Sequence, residues 1–293
     1  MKNYKSDKKA MDISWVESPF FDSLLQNSSH TDEEKKLLKE YNEKGYLVID
    51  LNLKDNFIDD LMKGVFEEID KSKKQEGGYH YSESPRIFEG WKTNPYILEL
   101  AKHPKILSTL KLLYGRKALP FQTINFLKGT NQPLHQDSIH FHTQPEKWMV
   151  GSWVALEDMT EENGPLNIVP KSHKWPHYNF EHLNLPKAEY GEQFDNYKEY
   201  ENFLVQLLSE KKYELKKCII KKGQCVIWAS NLLHGGAPII DKEATRYSQA
   251  IHYYFEGCNH YYSPLFSEIS KGHYSEKNLE EKDIINHKIK RST

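Results

Sequence analysis

The chain has 293 residues, with 40 Lys and Arg against 42 Asp and Glu and a formal net charge of −2. That near-balance gives no global reason to expect nucleic acid or an anionic membrane as partner, and no apolar run approaches the ~20 residues of a membrane span. Three cysteines, Cys218, Cys225 and Cys258, cannot all pair and form no CxxC motif, so free thiols in a reducing compartment are expected.

The lysine-rich start, Met1 to Ala10, lacks the apolar stretch of a signal peptide, and a soluble, cytoplasmic protein with a small-molecule partner is expected. Residues 1–30 show no clear periodicity and read as an arm, although Trp15, Phe20, Phe21, Leu24 and Leu25 can dock on the body. Thr31 and Glu34 form a capping-box pair that opens a helix, and Gly45 suits its end. Tyr46-Leu47-Val48-Ile49 reads as a strand. Phe57, Leu61, Met62, Val65 and Ile69 recur at helical spacing between about Asn56 and Lys71. Two shorter helices are expected over Pro95 to His103 and Pro104 to Tyr114, with Pro104 at the first helical position and Gly115 as the stop.

From about residue 118 the pattern changes to short strands: Phe121 to Leu127, Trp148 to Leu156, Leu166 to Val169, Tyr213 to Ile220, Cys225 to Ala229 and Thr245 to Phe255. Many short strands after a helical block predict a mainly β fold with helical additions. Its core would be a jelly roll, a double-stranded β-helix of cupin-like form, with the N-terminal helices packed outside. A single domain is expected: an arm (1–30), helical support (31–117), a jelly-roll core (118–258) with an insertion at 175–212, and a C-terminal segment (259–293). The insertion carries a predicted helix at Tyr197 to Ser209; connections this long are often lids or binding loops.

Chemistry concentrates at Leu134-His135-Gln136-Asp137, Leu233-His234-Gly235-Gly236 and Arg246. In an extended stretch the H-x-D spacing puts His135 and Asp137 on one face, because strand side chains alternate. With His234 they make two imidazoles and a carboxylate, the set that holds Fe(II) while leaving positions open for O2 and a co-substrate. An H-x-D triplet alone is common, and its bland reading is a loop histidine beside a turn or cap aspartate; the ordered occurrence with His234 and Arg246 changes the odds. Arg246, Ser248, Ala250, His252 and Tyr254 share one strand face, where a guanidinium can bind a carboxylate bidentately. The bland alternative for Arg246 is a surface strand arginine.

These residues resemble the phytanoyl-CoA dioxygenase family of Fe(II)/2-oxoglutarate oxygenases. The matching block runs from Leu134-His135-Gln136-Asp137 through Ser152-Trp153-Val154-Ala155-Leu156-Glu157-Asp158, Asn163-Gly164-Pro165-Leu166 and Val169-Pro170-Lys171-Ser172-His173-Lys174 to Leu232-Leu233-His234-Gly235 and Arg246. With the helix ending at Gly45, the resemblance covers roughly residues 31–256. It implies that His135, Asp137 and His234 ligate iron, that Arg246 binds the distal carboxylate of 2-oxoglutarate, and that Trp153 walls its pocket. It further implies oxidative decarboxylation to succinate and CO2, coupled to oxidation of a substrate C–H bond; a carboxylate at Asp137, where halogenating relatives carry a small residue, points to hydroxylation.

The chain departs from the family pattern twice. Lys171 stands where the family usually has glycine, and Gly236 stands where members often carry a hydroxyl residue. The missing hydrogen bond to 2-oxoglutarate is then assigned to Ser248.

Gln122 and Asn125 face opposite ways on a regular strand, so at most one, with Gln122 preferred, contacts the co-substrate. His140 and His142 either line the substrate pocket, bind a second metal or support the loop. Arg86 and Trp91 touch substrate or pack, with packing favoured, and Tyr79, His80 and Tyr81 close the entrance or cover the core. The favoured substrate is a small or medium-sized metabolite. An acyl-CoA is the alternative within the family, although no basic surface for its phosphates is evident. A non-catalytic jelly-roll binder and a cupin-like isomerase using another metal are the alternatives outside it.

Overall fold

The computed structural model describes residues 12–72, 86–189, 195–258, 260–278 and 283–288; the Tyr79-His80-Tyr81 patch lies outside these. Over its described part, residues 12–30, the N-terminal stretch docks on the body. A 3-10 turn at Trp15–Glu17 and a short helix α1 (Phe21–Gln26) bury Trp15, Val16, Phe21 and Leu25, while Phe20 stays half exposed. Helix α2 (Asp32–Lys44) opens on the Thr31/Glu34 capping box, with both reciprocal bonds made, and ends at Gly45 with φ 81°. A side chain at position 45 would also strike the His173 imidazole, so the turn needs glycine for space as well as for conformation.

Strand β1 (Tyr46–Asp50) follows, then helix α3 (Asp55–Ser72), strand β2 (Arg86–Phe88), and helices α4 (Pro95–Ala101) and α5 (Pro104–Tyr114). Asn94 caps α4 through its side-chain oxygen, and both helices begin with proline at a position that has no intrahelical N–H partner to lose. Next come β3 (Ala118–Phe126), β4 (His142–Gln144), β5 (Met149–Ala155), β6 (Leu166–Ile168), helix α6 (Asp195–Lys211), β7 (Lys216–Lys217), β8 (Gln224–Ala229), β9 (His234–Gly236), β10 (Ser248–Phe255) and β11 (His260–Tyr262). Among the described residues no helix is long and apolar enough to cross a membrane.

The strands form a six-stranded sheet in the order β1-β8-β5-β10-β3-β2, a three-stranded sheet β7-β6-β9 and a β11-β4 pair, with every pairing antiparallel. This is a jelly-roll core with helices outside. Two strands from the N-terminal segment, β1 and β2, complete the large sheet at its two edges. The strand expected over Tyr213 to Ile220 shrinks to the exposed pair Lys216–Lys217, which meets β6 through two residues only. Short strands β2, β4, β9 and β11 escape a periodicity reading because three residues carry no alternation to detect.

Strand β10 is buried on both faces, and the two faces do different work. Gln249 and Tyr253 donate to the carbonyls of Ile97 and Ala101 in α4, tying the sheet to the helical layer. Ile251 joins them in the large core between sheet and helices. Ala250 and His252 face the opposite way, into a cavity between the two sheets.

Candidate metal centre

His135 and His234 lie 99 positions apart, yet their backbones exchange hydrogen bonds: His135 N–H to His234 O at 2.8 Å and His234 N–H to His135 O at 3.0 Å. This single antiparallel bridge sets the two imidazoles side by side, with ring centroids 4.4 Å apart. Gln136 between the H-x-D pair is extended (φ −114°, ψ 132°), which returns Asp137 to the His135 side. Gln136 itself points away and is buried, donating to Asn231 O and accepting from the Tyr200 hydroxyl of α6.

One ligand atom from each of His135, Asp137 and His234 falls within 4.8 Å of the other two, and all three residues are buried. Each histidine places Nδ1 at 2.9 Å from a carbonyl, Pro133 O for His135 and Leu232 O for His234. A carbonyl only accepts, so Nδ1 carries the proton and, in the neutral ring, Nε2 carries a lone pair. Both Nε2 atoms face Asp137 Oδ1, at 3.8 and 3.6 Å. The other carboxylate oxygen, Oδ2, accepts the Trp228 indole N–H at 2.8 Å.

Burial holds His135 down at about 3, with His234 adding to the depression. Burial pushes Asp137 up, but His234, His252, His135 and the Trp228 N–H outweigh it and keep the carboxyl below its ordinary value. With both rings neutral, lone pairs on two nitrogens and one oxygen converge, and among the described residues the Gln132 amide, at 3.3 Å, is the hydrogen-bonding group that touches His135 Nε2. Such a set repels itself unless a cation sits at its centre, and this mixture of imidazole and carboxylate suits a first-row divalent metal.

The indole N–H was not legible in the sequence, because Trp228 sits in an apolar strand and reads as core. Its orientation depends on Gly151, its register partner on β5: a side chain there would come within 2.3 Å of the indole.

The cluster opens into a cavity of about 370 Å³ that is also lined by Arg246, Trp153 and Gln122. Arg246 is 3% exposed, with Nη1 donating to Gly164 O at 2.8 Å and Nε without a partner among the described residues. Its guanidinium carbon lies 5.5 Å from the ring centres of both Phe126 and Trp153. Burial, reinforced by Arg86, pulls its pKa down to about 10. A buried cation with so few hydrogen bonds is costly until an anion completes it, and a carboxylate fits its donor fork.

Gln122 lines the cavity and bonds His252 Nδ1 at 2.9 Å, while Asn125 faces the helical side and bonds Gln249. Ser248 is not brought to the cavity: its buried hydroxyl donates to Arg246 O at 3.3 Å. Another hydroxyl residue, Thr130, does line the cavity, with its Oγ1 accepting the Gln132 N–H at 3.3 Å. A Cβ at Gly236 would sit 2.9 Å from Thr130 Oγ1 and equally close to the backbone N of Asn131 and Gln132. Glycine at 236 therefore lets the 130–133 loop close over β9, and that closure brings a hydroxyl to the place where a side chain at 236 would have carried one.

His252 lies with Nε2 3.6 Å from Asp137 Oδ2, completing a ring of three imidazoles around the carboxylate. Alternation placed it on the Arg246 face, but its spacing matches no ligand motif. His140 lines the cavity with Nε2 3.0 Å from the Tyr197 hydroxyl of α6, whereas His142 turns away and packs on His177 and Tyr262. Arg86 lines the cavity with its guanidinium carbon 5.3 Å from the Phe126 ring centre, and Trp91 is core. Lys171 takes up the left-handed conformation (φ 72°) that a glycine would adopt, so the turn survives the substitution at a strain of order 1 kcal/mol.

A family model for phytanoyl-CoA dioxygenase (PhyH) matches residues 41–243. Human peroxisomal phytanoyl-CoA dioxygenase is 24% identical over 296 residues, covering 92% of this chain and 79% of its own. Among solved structures, the non-heme alpha ketoglutarate dependent carbocyclase SnoK from nogalamycin biosynthesis superposes with a TM-score of 0.60 at 16% identity, covering 82% of this chain and 88% of that one. EctD from S. alaskensis, solved with 2-oxoglutarate and 5-hydroxyectoine, gives 0.58 at 17% identity over 78% and 79% of the two chains. At these identities the two structures speak for the fold.

Proposed function

The chain belongs to the phytanoyl-CoA dioxygenase family of Fe(II)/2-oxoglutarate-dependent oxygenases, and on that premise we propose that it hydroxylates an unactivated C–H bond of a small or medium-sized metabolite, releasing succinate and CO2. The observation that carries this reading is the convergence of the His135 and His234 Nε2 atoms and Asp137 Oδ1 in a buried cavity that also holds an arginine with few hydrogen bonds.

In this reading His135, Asp137 and His234 hold the iron through those atoms. The carbonyls of Pro133 and Leu232 fix both tautomers, and the Trp228 N–H keeps Oδ2 occupied so that Oδ1 faces the metal. Bound iron supplies the oxidising power, coupling decarboxylation of 2-oxoglutarate by O2 to oxidation of the substrate. Arg246 clamps the distal carboxylate of the co-substrate between the rings of Phe126 and Trp153. Thr130 stands in for the hydroxyl absent at Gly236, in preference to Ser248. Burial of the whole cluster excludes water from the reacting centre. The free thiols, two of them buried, support a reducing compartment, and we assign the protein to the cytoplasm.

The name of the human relative supports an acyl-CoA as the alternative substrate. The cavity, at about 370 Å³, lies at the small end of the range for ligand sites and must also hold the co-substrate. It favours a compact molecule. A binder without catalysis has no use for Arg246 beside a metal-ligand set.

The test is succinate release from a metabolite library incubated with the protein, Fe(II), 2-oxoglutarate and O2. At least one metabolite should raise succinate above the substrate-free background. Iron-loaded protein that forms no succinate with any metabolite, nor without one, would sink the proposal.

A further inference from the structure

The cavity has a second polar end, built by a segment that follows the family-matched residues. Strand β11 (His260–Tyr262) pairs with β4 (His142–Gln144), just beyond the metal loop. The chain then turns through a 3-10 helix at Pro264–Phe266 and returns, with Ser263 N–H bonded to Ser275 O and Lys277 N–H to Tyr261 O. Ser263, Phe266 and Lys277 of this segment line the cavity together with Phe141. Lys277 Nζ lies 5.5 Å from the centre of the Phe141 ring, and that ring lies 5.2 Å from His252.

In the oxygenase reading the co-substrate occupies the stretch from Arg246 to the iron on Asp137; the Lys277 end is reached beyond that point, through His252 beside Asp137 and Phe141 beside His252. The second end therefore serves another molecule.

Two observations describe that molecule. First, Ser263 is 1% exposed and its hydroxyl has no hydrogen-bond partner among the described residues, although it lines the cavity. Shutting away a hydroxyl without a partner is costly, and a ligand oxygen removes the cost. Second, the lining residues hold three cations, Arg86, Arg246 and Lys277, against one carboxylate, Asp137. A divalent metal and a dianionic co-substrate cancel each other, so the cavity keeps an excess of positive charge whether or not Lys277 is counted.

We propose that Ser263 and Lys277 bind a carboxylate carried by the substrate, whose apolar body packs between Phe141 and Phe266. One ammonium and one hydroxyl suit the two oxygens of a monoanionic carboxylate; a phosphate dianion asks for more donors. This assignment rests on the oxygenase reading for the identity of the other ligands, and it makes the segment from Ser263 to Lys277 the specificity element.

The test uses protein loaded with Ni(II), which binds without turnover, and with 2-oxoglutarate. Phenylacetate, hexanoate and cyclohexanecarboxylate are each titrated calorimetrically beside their neutral amides. At least one acid should bind ten times or more tightly than its amide. Lys277→Gln should cut that preference below twofold, Lys277→Arg should retain it, and Ser263→Ala should lower it about threefold. The Kd for 2-oxoglutarate should stay unchanged in all three variants, which also reports that they fold.

The proposal is overturned by three outcomes: no acid outbinds its amide, the preference survives in Lys277→Gln, or the acids compete with 2-oxoglutarate. Should Ni(II) and 2-oxoglutarate fail to bind at all, the oxygenase reading falls separately, and the acid–amide preference is still read on the bare chain.

Discussion

The two ends of the cavity are built from different material. The Arg246 end and the metal cluster rest on paired strands: His135 and His234 share a backbone bridge, Trp228 is held in register against Gly151, and Arg246 precedes the central strand β10. The far end rests on irregular chain, a 3-10 turn and a return loop tied by a few backbone bonds. Sheet geometry fixes ligand positions closely and suits a co-substrate that does not change. Loop geometry tolerates sequence variation and suits the part of the site that selects a substrate.

The largest expected effect lies at the sheet-built end. Asp137→Ala, or His234→Ala, should abolish iron binding in equilibrium dialysis and succinate formation together, because two remaining donors leave the metal without its facial set. Retained iron with lost succinate would mean that the cluster is not the metal site. Arg246→Gln should raise the Kd for 2-oxoglutarate by about 10- to 150-fold, the equivalent of a charged hydrogen-bonded pair worth about 1.5–3 kcal/mol. The same variant should leave iron affinity alone; an unchanged co-substrate Kd would dissolve the distinction between the ends.

A smaller effect is expected from Trp228→Phe. It removes the N–H that occupies Asp137 Oδ2 and should weaken iron binding by about tenfold or more, with little loss of fold. Equal iron affinity in wild type and variant would show that the indole only packs.

The smallest effect separates the loop-built end by pH. Behind it, His177 packs on His142 with Nε2 shut off from solvent and unpartnered among the described residues. Burial, with His142 and Lys147 beside it, holds His177 well below 6.5. The folded chain therefore binds fewer protons than the unfolded chain below that pH. This contribution to stability is complete above about 6.5 and is lost as the pH falls, by about 1.4 kcal/mol per pH unit until the folded group titrates. Urea midpoints at pH 7.0 and 5.5 should fall less in His177→Gln than in wild type; identical slopes would remove His177 from the account.

The same contrast explains what the sequence made legible. The helices carried local signals that the structure repeats: the Thr31/Glu34 box, the prolines at 95 and 104, and the glycine stops at 45 and 115. His135, Asp137 and His234 were readable because strand alternation brings an H-x-D pair to one face and a glycine pair marks close approach. Residues acting from loops were not. Thr130, Ser263 and Lys277 belong to no periodic pattern, and only the closure of loop 130–133 over Gly236 and the fold-back of the C-terminal segment bring them to the cavity. Ser248 failed to reach it for a related reason: sharing a face with Arg246 is a statement about direction, and its short side chain is satisfied by its own strand's backbone.

The central claim is tested most directly by anaerobic absorption spectroscopy of the protein titrated with Fe(II) and then 2-oxoglutarate. The account predicts a weak visible charge-transfer band that saturates at one iron and one co-substrate per chain and is missing in Asp137→Ala. Iron-loaded protein that shows no such band with excess 2-oxoglutarate would contradict it.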